Sequence, residues 1–543
     1  MDLSNQQVAK ILRGVAAAYN IKKQGNIFQI RAYENAADAI EHSTSEVRDL
    51  WEEGKLNEIP GLGQKLQGYL EELFKTGHVK HFDEVKKGLK PIFFELLDVT
   101  GIGPKTAQKL VKSGVVNLGS LKSKIIKSDR MLLPYAFAQA QKILNYLKKN
   151  KDVLETHFLG SLRRMVATVG DLDFSASSKN PKKVVDYFCQ MHGVTRIMDQ
   201  GENRATLILH SGLQVDLLVG RPESYGALLQ HFTGSKAHNI HLRIIAQSKG
   251  LSLSEKTNAQ TEEEFYKLLG MQVPPPEIRE DTGEIEASLN HKLPKLVEIK
   301  EIRGDLHLHS NYPIKNPSHG PGADSIEDMV KKAASLGYEY VGISDHPPGF
   351  TAVSKEEIID WVQKRTKVIQ TMNTKSIRVL NGLEIDILVN GELSVHDEAL
   401  ETLDYCIAGI HSGHRSDITK RLMLALQNPH VDIISHPTNR LLNERESSEA
   451  DWETIFKYCA KNQKLLEING YPNRLDLRDD LVRQALKFGV KFIINTDAHE
   501  LSQMDNMKFG VSVARRGWAE KKDVVNAWNW EKLSIWLKIH DYE

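Results

Sequence analysis

Asp305-Leu-His307-Leu-His309 begins a series of short apolar runs that end in metal-binding side chains. The arrangement returns at Tyr340-Val-Gly-Ile-Ser-Asp345-His346 and again at Phe492-Ile-Ile-Asn-Thr-Asp497-Ala-His499. Buried parallel strands are continuous apolar runs, and a barrel of such strands gathers their carboxyl ends on one face. The series therefore predicts a β/α barrel with histidines and carboxylates at one open end.

The mixture of side chains at that end indicates the kind of metal centre. Imidazole suits zinc, iron and manganese, and carboxylates extend the range toward magnesium, so a mixed set favours a multinuclear hydrolytic centre. A single histidine at a strand end is more often a hydrogen-bonded core residue. Repetition at successive strand ends favours metal binding over that alternative.

Motifs within residues 303–543 resemble those of the PHP (polymerase and histidinol phosphatase) phosphoesterase domain. They are Asp-Leu-His307-Leu-His309-Ser, Ser-Asp345-His346, Gly-Leu-Glu384-Ile-Asp386, Gly-Ile-His411-Ser, Ser-His436-Pro and Asn-Thr-Asp497-Ala-His499. The resemblance implies a distorted seven-stranded barrel that binds two or three Mn²⁺, Zn²⁺ or Fe²⁺ ions. The ligands it implies are His307, His309, His346, Glu384, His411, His436, Asp497 and His499. The loop that carries His319 and Asp324 departs from the family pattern, so either one of these two residues supplies a ninth ligand or one metal position is weakened.

A second acidic cluster is predicted in the middle of the chain. Side chains alternate along a strand, so Asp171 and Asp173 should project from one face of an apolar run. Asp216 lies in another apolar run, which predicts a neighbouring strand. Three converging carboxylates can hold two Mg²⁺ or Mn²⁺ ions for in-line attack on a triphosphate.

The residues before the acidic pair supply groups that suit phosphates. Gly160 and Ser161 offer backbone and hydroxyl donors, and Arg164 offers a cationic one. An Asp-x-Asp pair alone is most often a solvated strand edge or turn. Together with Gly-Ser-x-x-Arg at this interval, it resembles a nucleotidyltransferase palm.

The segment from His231 to Arg243 narrows the resemblance to family X DNA polymerases. By that resemblance Asp171, Asp173 and Asp216 hold the catalytic ions, and Arg243 contacts DNA. The nucleotide-binding residues it implies are Gly160, Ser161, Arg164, Gly170, Phe232, Gly234 and Asn239. Gln214 stands where relatives often have an arginine, which predicts slow chemistry or another orienting group.

Two segments near the amino terminus resemble helix-hairpin-helix motifs. Each places two glycines and a lysine before a helix, so that bare backbone N–H groups meet a DNA phosphate. The residues are Gly61, Gly63 and Lys65 in the first copy and Gly101, Gly103 and Lys105 in the second. Na⁺ or K⁺ is a candidate ion there. Tyr69 replaces the Schiff-base lysine of relatives with deoxyribose-phosphate lyase activity, so that activity is expected to be absent or marginal.

Composition bounds the remaining properties. The chain has 71 lysine and arginine residues and 71 aspartate and glutamate residues. This balance gives no net positive charge that would indicate nucleic-acid binding. Three scattered cysteines predict a reducing compartment without structural disulfides. The amino terminus lacks the pattern of a signal peptide, and no apolar stretch approaches the length of a membrane span. A cytoplasmic monomer without membrane contact is expected.

These patterns predict a multidomain α+β and α/β protein. The expected order is a helical DNA-binding domain at 1–90, a fingers-like helical domain at 91–148, a palm at 149–221, a thumb at 222–272, a linker at 273–302 and a distorted (β/α)7 PHP barrel at 303–543.

The leading hypothesis is a DNA-directed DNA polymerase that fills short gaps in base excision repair. Its substrates are gapped or nicked DNA and dNTPs, and the barrel provides 3′-5′ exonuclease and abasic-site endonuclease activity. One alternative is a PHP nuclease whose decayed polymerase half acts as a DNA clamp. Another is a non-catalytic repair scaffold held by its hairpins.

Overall fold

The computed structural model describes residues 3–22, 27–43, 45–59, 61–97, 104, 107–108, 111, 130–210, 212–372 and 377–537. The chain divides into two compact units. One comprises residues 1–291 with 443–445, and the other comprises residues 292–442 with 446–543. The second predicted hairpin, with Gly101, Gly103 and Lys105, lies outside the described residues.

The amino-terminal part of the first unit is helical. Its helices are α1 (Asn5–Lys22), α2 (Ile27–His42), α3 (Val47–Glu52), α4 (Gln64–Thr76), α5 (Lys80–Lys86) and α6 (Pro91–Leu97). Apolar residues recur along α1 at helical spacing, and Val8, Leu12 and Val15 are fully buried. Leu62 and Leu66, beside the first hairpin and the start of α4, are buried in the same apolar cluster.

A five-stranded mixed sheet forms the centre of the first unit. In spatial order its strands are β2 (Glu155–Phe158), β4 (Leu172–Ser177), β7 (Gln214–Gly220), β6 (Arg204–Leu209) and β5 (Val194–Gln200). Strands β4 and β7 are parallel and the other pairs are antiparallel. A separate pair joins β1 (Met131–Leu132) to β3 (Thr168–Val169). Val215, Leu217 and Val219 of β7 point into the core, so the alternate residues face away from it.

The remaining helices of this unit flank the sheet or follow it. They are α7 (Leu133–Leu147), α8 (Gly160–Arg163), α9 (Pro181–Phe188), α10 (Tyr225–Thr233), α11 (Lys236–Ser248), α12 (Glu262–Leu268) and α13 (Glu284–Leu289).

Part of the stretch expected to be a linker, residues 273–302, is instead built into the first unit. Ile285 of α13 is buried in one apolar cluster with Phe265 and Tyr266. Arg279 is fully buried and donates from Nε to the carbonyl of Pro274 at 2.8 Å. The prolines suggested a break in structure, but their carbonyl groups remain free to accept hydrogen bonds from a folded-back side chain.

The second unit is a barrel of seven parallel strands. In order around the sheet they are β8 (Gly304–Asp305), β9 (Tyr340–Ile343), β10 (Arg378–Asp386), β11 (Tyr405–Gly409), β12 (Ile433–Ile434), β13 (Leu465–Asn469) and β14 (Lys491–Asn495). Past the strand ends, a parallel bridge joins Leu308 to Ala498, and the amide of His309 donates to the Ala498 carbonyl at 2.9 Å. The sheet therefore nearly closes on itself, as the sequence predicted.

Helices surround this barrel. They are α14 (Ile326–Ser335), α15 (Lys355–Gln370), α16 (Asp397–Leu400), α17 (Ile418–Gln427), α18 (Trp452–Asn462), α19 (Asp479–Leu486), α20 (Met507–Arg516) and α21 (Trp530–Leu537). Within the described ranges, none of the helices in either unit combines the length and the apolar character that crossing a membrane requires.

Tyr405 fills the inside of the barrel below its carboxyl end. Its hydroxyl donates to the Leu306 carbonyl at 2.6 Å, and its ring passes directly over two strands. An added Cβ would lie 2.1 Å from the Tyr405 hydroxyl oxygen at Gly342 and 2.2 Å from ring carbon Cζ at Gly382. Both positions therefore require glycine. The filled interior leaves the carboxyl ends of the strands as the place for a site.

Candidate functional site

Two carboxylates of the first unit face each other across parallel strands. Asp173 on β4 is the register partner of Asp216 on β7, and Asp171 precedes β4 by one residue. Burial, followed by the charges of Asp171 and Asp216, raises the pKa of Asp173 to about 7. Carboxylates that repel one another this strongly favour a divalent cation between them.

The turn at Gly160 lies directly against this acidic cluster. Gly160 has φ +57°, and an added Cβ would come within 2.8 Å of Asp173 Oδ2. The amide of Leu159 also donates to the Asp173 carbonyl at 2.7 Å. Gly160 and Ser161 begin helix α8, so the predicted phosphate-binding donors lie beside the predicted metal ligands.

Arg130 is a cation near this turn that sequence reasoning missed. An added Cβ at Gly170 would lie 3.1 Å from Arg130 Nη1, which places the guanidinium beside the predicted nucleotide-binding glycine. Thr168 holds Arg130 in place, because its hydroxyl accepts from Nε at 3.0 Å and its carbonyl accepts from Nη2 at 2.6 Å. No sequence signal indicated this arginine, since it stands alone before β1 with no motif around it.

Arg164 is engaged with a carboxylate. Its Nε donates to Glu280 Oε1 at 2.9 Å, and its Nη1 donates to the Thr233 carbonyl at 2.8 Å. The neighbouring Arg163 forms a bidentate ion pair with Glu262: Nη1 donates to Oε1 at 3.1 Å, and Nη2 donates to Oε2 at 2.7 Å. These contacts tie helix α8 to the segment that follows the sheet.

The predicted nucleotide-selection residues lie on α10, on α11 and between them. Asn239 accepts from Gln230 Nε2 at 2.8 Å and donates to the His231 carbonyl at 2.7 Å, so its amide is held close to its own turn. Phe232 is half-buried beside it, and Gly234 packs against the Asn239 side chain.

Two predicted positions at this site have distinctive surroundings. Arg243 is exposed on α11. Gln214 donates from Nε2 to Asp216 Oδ2 at 2.7 Å. The residue that stands where relatives often have an arginine is therefore hydrogen-bonded to one of the three carboxylates.

The first hairpin exposes the backbone expected to meet phosphate. Gly61 has φ +72°, and Gly63 immediately precedes helix α4; both are exposed. Lys65 is exposed on the first turn of α4. Tyr69, one turn later, stacks on His81 with ring centroids 4.8 Å apart.

The second unit gathers all eight predicted metal-binding residues at the carboxyl end of its strands. Ligand atoms lie within 4.8 Å of one another in three overlapping groups. The groups are His307, His309, Glu384 and Asp497; Glu384, His411 and His436; and His309, His346 and His499. Glu384 and His309 are each shared by two groups, as expected of residues between neighbouring ions.

His319 joins this cluster. It forms a fourth group with Asp386 and His411, and its ring stacks on His346 with centroids 3.8 Å apart. Asp386 lies 3.1 Å from His319 Nε2 and 2.6 Å from His411 Nδ1. Asp324 instead accepts from the Leu501 amide at 2.8 Å and belongs to none of the groups found among the described residues.

Several buried histidine nitrogens lack a hydrogen-bond partner among the described residues and could bind a cation instead. Within the described part of the chain, neither nitrogen of His309 has a hydrogen-bond partner, although Nε2 lies 3.2 Å from Asp497 Oδ1. His307 Nε2 likewise has no hydrogen-bond partner among these residues, and it lies 3.1 Å from Glu384 Oε2. Buried polar atoms without partners are costly, and a divalent ion held between imidazole and carboxylate would satisfy them. The residues present therefore fit such an ion.

Glu467 orients this cluster from beneath. It is fully buried, and its Oε1 lies 2.6 Å from His307 Nδ1, which turns Nε2 toward the other ligands. Its carboxylate also accepts from the amide of His436 at 2.8 Å and from the side chains of Asn469 and Asn495, each at 3.0 Å. Carboxylates of this kind fix the tautomer of a metal-binding histidine. A glutamate inside an otherwise apolar strand was the available sequence signal.

Arg474 is a second residue that the sequence did not indicate. Its Nε lies 3.7 Å from Asp497 Oδ2, and after burial its charge is the largest cause that lowers the pKa of His436 to about 4. Its Nη1 is buried and has no hydrogen-bond partner among the described residues. Arg440 Nε donates to the Arg474 carbonyl at 2.8 Å and fixes the backbone. The guanidinium is therefore held beside the cluster, and its Nη1 can still donate a hydrogen bond.

Known proteins resemble both units. Family models match the chain at residues 3–79 (helix-hairpin-helix domain), 228–280 (DNA polymerase beta thumb) and 305–470 (PHP domain). The DNA polymerase/3′-5′ exonuclease PolX of Bacillus subtilis (strain 168) is 32% identical over 585 residues, which cover 99% of this chain and 100% of the relative.

Shorter relatives match part of the chain. A probable phosphatase of Clostridium acetobutylicum is 27% identical over 207 residues, which cover 36% of this chain and 78% of the relative. A probable phosphatase of Caldicellulosiruptor bescii is 27% identical over 191 residues, which cover 33% and 75%. The similarity to the Bacillus protein thus covers nearly the full length of both chains. The similarity to the phosphatases covers about a third of this chain.

Proposed function

The chain belongs to the family X DNA polymerases that carry a PHP domain, and on that premise we propose that it fills short gaps during DNA repair. It is a DNA polymerase with a PHP-type 3′-5′ exonuclease. The palm extends the primer from dNTPs, and the barrel removes damaged or mispaired 3′ ends. Gapped or nicked DNA is the substrate.

The pairing of Asp173 with Asp216 beside the Gly160 turn is the observation that carries the polymerase assignment. We assign the ions to Asp171, Asp173 and Asp216, and the triphosphate to the backbone and hydroxyl of the turn together with Arg164. Two Mg²⁺ or Mn²⁺ ions would activate the primer hydroxyl and neutralise charge on the phosphates. Arg130 supplies a further cation beside Gly170.

DNA is held in part by the first hairpin. Exposed Gly61 and Gly63 present backbone groups, and exposed Lys65 supplies a charge for the phosphate chain. Such contacts position DNA without reading its sequence. The second hairpin and Arg243 are assigned to DNA on the resemblance alone.

The three overlapping groups of ligand atoms carry the nuclease assignment. We assign the eight predicted ligands to two or three Mn²⁺, Zn²⁺ or Fe²⁺ ions, and His319 to the ninth position. The ions would supply Lewis-acid and water-activating chemistry, so no protein nucleophile is needed. Arg474 would bind a non-bridging oxygen of the phosphodiester through Nη1, which has no hydrogen-bond partner in the described part of the chain.

Two double variants test the assignment on one duplex that carries a labelled primer at a short gap. Asp171→Ala with Asp173→Ala should abolish extension and leave 3′-end removal. His307→Ala with His309→Ala should do the reverse and lower the bound metal. Asp83→Ala and His396→Ala, which change exposed residues of the same two types, are the matched controls. Extension that survives the first variant, or degradation that survives the second with full metal content, would contradict the corresponding site.

A further inference from the structure

A cleft opens beside the metal-binding cluster of the second unit. It is small, with a volume of about 30 Å³, and it is open to solvent. Its polar side is formed by His319, His346, Glu384 and Asp386, which belong to the cluster itself. Its other side is formed by two loops, residues 316–318 and 347–351.

Phe350 lines this cleft with its ring largely uncovered. The residue is 48% exposed, although phenylalanine usually buries most of its surface. A single exposed apolar residue is ordinary on a protein surface. Here, however, the ring shares a cleft with four charged or metal-binding side chains, so its position relates to whatever enters that cleft.

The loop that carries Phe350 is held in place before any ligand arrives. The amide of Gly349 donates to the Lys315 carbonyl at 2.9 Å, and Asn316 Nδ2 donates to the Pro347 carbonyl at 2.8 Å. An added Cβ at Gly349 would lie 2.7 Å from Pro317 Cδ, so the two loops touch. A rigid support lowers the entropic cost of binding to the exposed ring.

We propose that Phe350 stacks on the base of the 3′-terminal nucleotide while the adjoining phosphodiester lies at the metal-binding cluster. The proposal rests on the proposed nuclease function. Every base offers a flat aromatic face, so stacking of this kind tolerates any sequence.

The test uses the full-length protein with Mn²⁺ and two single-stranded oligonucleotides. One ends in a normal 3′ nucleotide, and the other ends in a tetrahydrofuran residue that lacks a base. Phe350→Ala should lower the ratio of kcat/KM for the first over the second about tenfold, within the ~1–3 kcal/mol range of base stacking. Phe350→Trp should retain the ratio, and Phe28→Ala, at an exposed phenylalanine of the first unit, is the matched control.

A second measurement is independent of catalysis. With a phosphorothioate as the last linkage to resist hydrolysis and the bound metals left in place, Phe350→Trp should quench the fluorescence of 2-aminopurine placed at the 3′ end, relative to the unaltered protein. An unchanged ratio in Phe350→Ala, or equal loss on both oligonucleotides, would overturn stacking. Absence of 3′-end removal by the unaltered protein on either oligonucleotide would instead contradict the nuclease function.

Discussion

Arg164 Nε donates a hydrogen bond to Glu280 Oε1 at 2.9 Å, so the arginine assigned to the triphosphate already binds a carboxylate. The two side chains are only 14% and 23% exposed. A triphosphate must therefore compete with Glu280 for the guanidinium. Replacing Glu280 with Gln removes the competing charge, and we expect the KM for dNTP in single-nucleotide gap filling to fall about fivefold, equivalent to ~1 kcal/mol.

Glu263→Gln is the matched control for that experiment, because Glu263 is an exposed residue of α12. It should leave the KM for dNTP unchanged. If Glu280→Gln also left it unchanged, the incoming phosphates would not reach Arg164.

Removal of the carboxylate of Glu467 should weaken metal binding. Its Oε1 lies 2.6 Å from His307 Nδ1 and sets which ring nitrogen faces the other ligands. We expect Glu467→Gln to reduce metal affinity about 10- to 100-fold. The measurement is the metal retained by the purified protein during titration with a chelator. Glu392→Gln, at an exposed glutamate of the same unit, should behave like the unaltered protein.

Arg474 should act on the substrate rather than on the ions. With Nη1 lacking a partner among the described residues, the guanidinium can bind a phosphodiester oxygen beside Asp497. Arg474→Ala should lower kcat/KM for 3′-end removal about 100-fold, while the bound metal stays the same. Added guanidine should restore part of the rate, and Arg378→Ala, at the amino end of β10, should not change it. Loss of metal in Arg474→Ala would assign the residue a structural role instead.

The two candidates for the ninth ligand, His319 and Asp324, have different surroundings. His319 stacks on His346 and lies 3.1 Å from Asp386, whereas Asp324 accepts a backbone amide elsewhere. His319→Ala should therefore lower the metal content of the protein by about one ion per chain, and Asp324→Ala should not. Elemental analysis after dialysis distinguishes the two. The opposite result would return Asp324 to the ligand set.

The barrel and the cluster of histidines and carboxylates at its open end could be predicted because the signal is local. The eight predicted ligands lie at or just after the end of an apolar run, as Asp497 follows Lys491–Asn495, and the parallel arrangement then brings all the strand ends together. His319 could not be chosen over Asp324, since no periodicity fixes the path of the loop between residues 310 and 325. Arg474 was missed for the same reason: only the folded loop brings it to Asp497.

The error over residues 273–302 has a related cause. Prolines and charges predicted a linker, but Arg279 is buried and pairs with Glu262, and Ile285 joins an apolar cluster. Such pairing depends on residues distant in sequence, which a pattern within one segment does not reveal. The position of Arg164 against Glu280 is unpredictable on the same grounds.

The stability of the segment around α11 should fall in mild acid. His238 is fully buried, with Nδ1 2.6 Å from Glu284 Oε1 and Nε2 2.9 Å from the Tyr266 hydroxyl. Burial lowers the pKa of His238; Arg279 lowers it further, while Glu284 and Asp281 oppose the shift. Below about pH 6.5 the unfolded chain therefore binds a proton that the folded chain does not, and stability is lost as pH falls, by at most ~1.4 kcal/mol per pH unit for one proton.

Hydrogen–deuterium exchange of residues 236–248, compared at pH 7.5 and 5.5 after correction for the intrinsic rate, measures this loss directly. His238→Gln keeps hydrogen-bonding groups at the position but does not titrate, so its protection should depend less on pH than that of the unaltered protein. The buried carboxylate of Glu284, whose pKa is lowered, adds a second loss only at pH values near and below 4.5, outside the range compared. Equal pH dependence in the two proteins would mean that His238 does not control stability here.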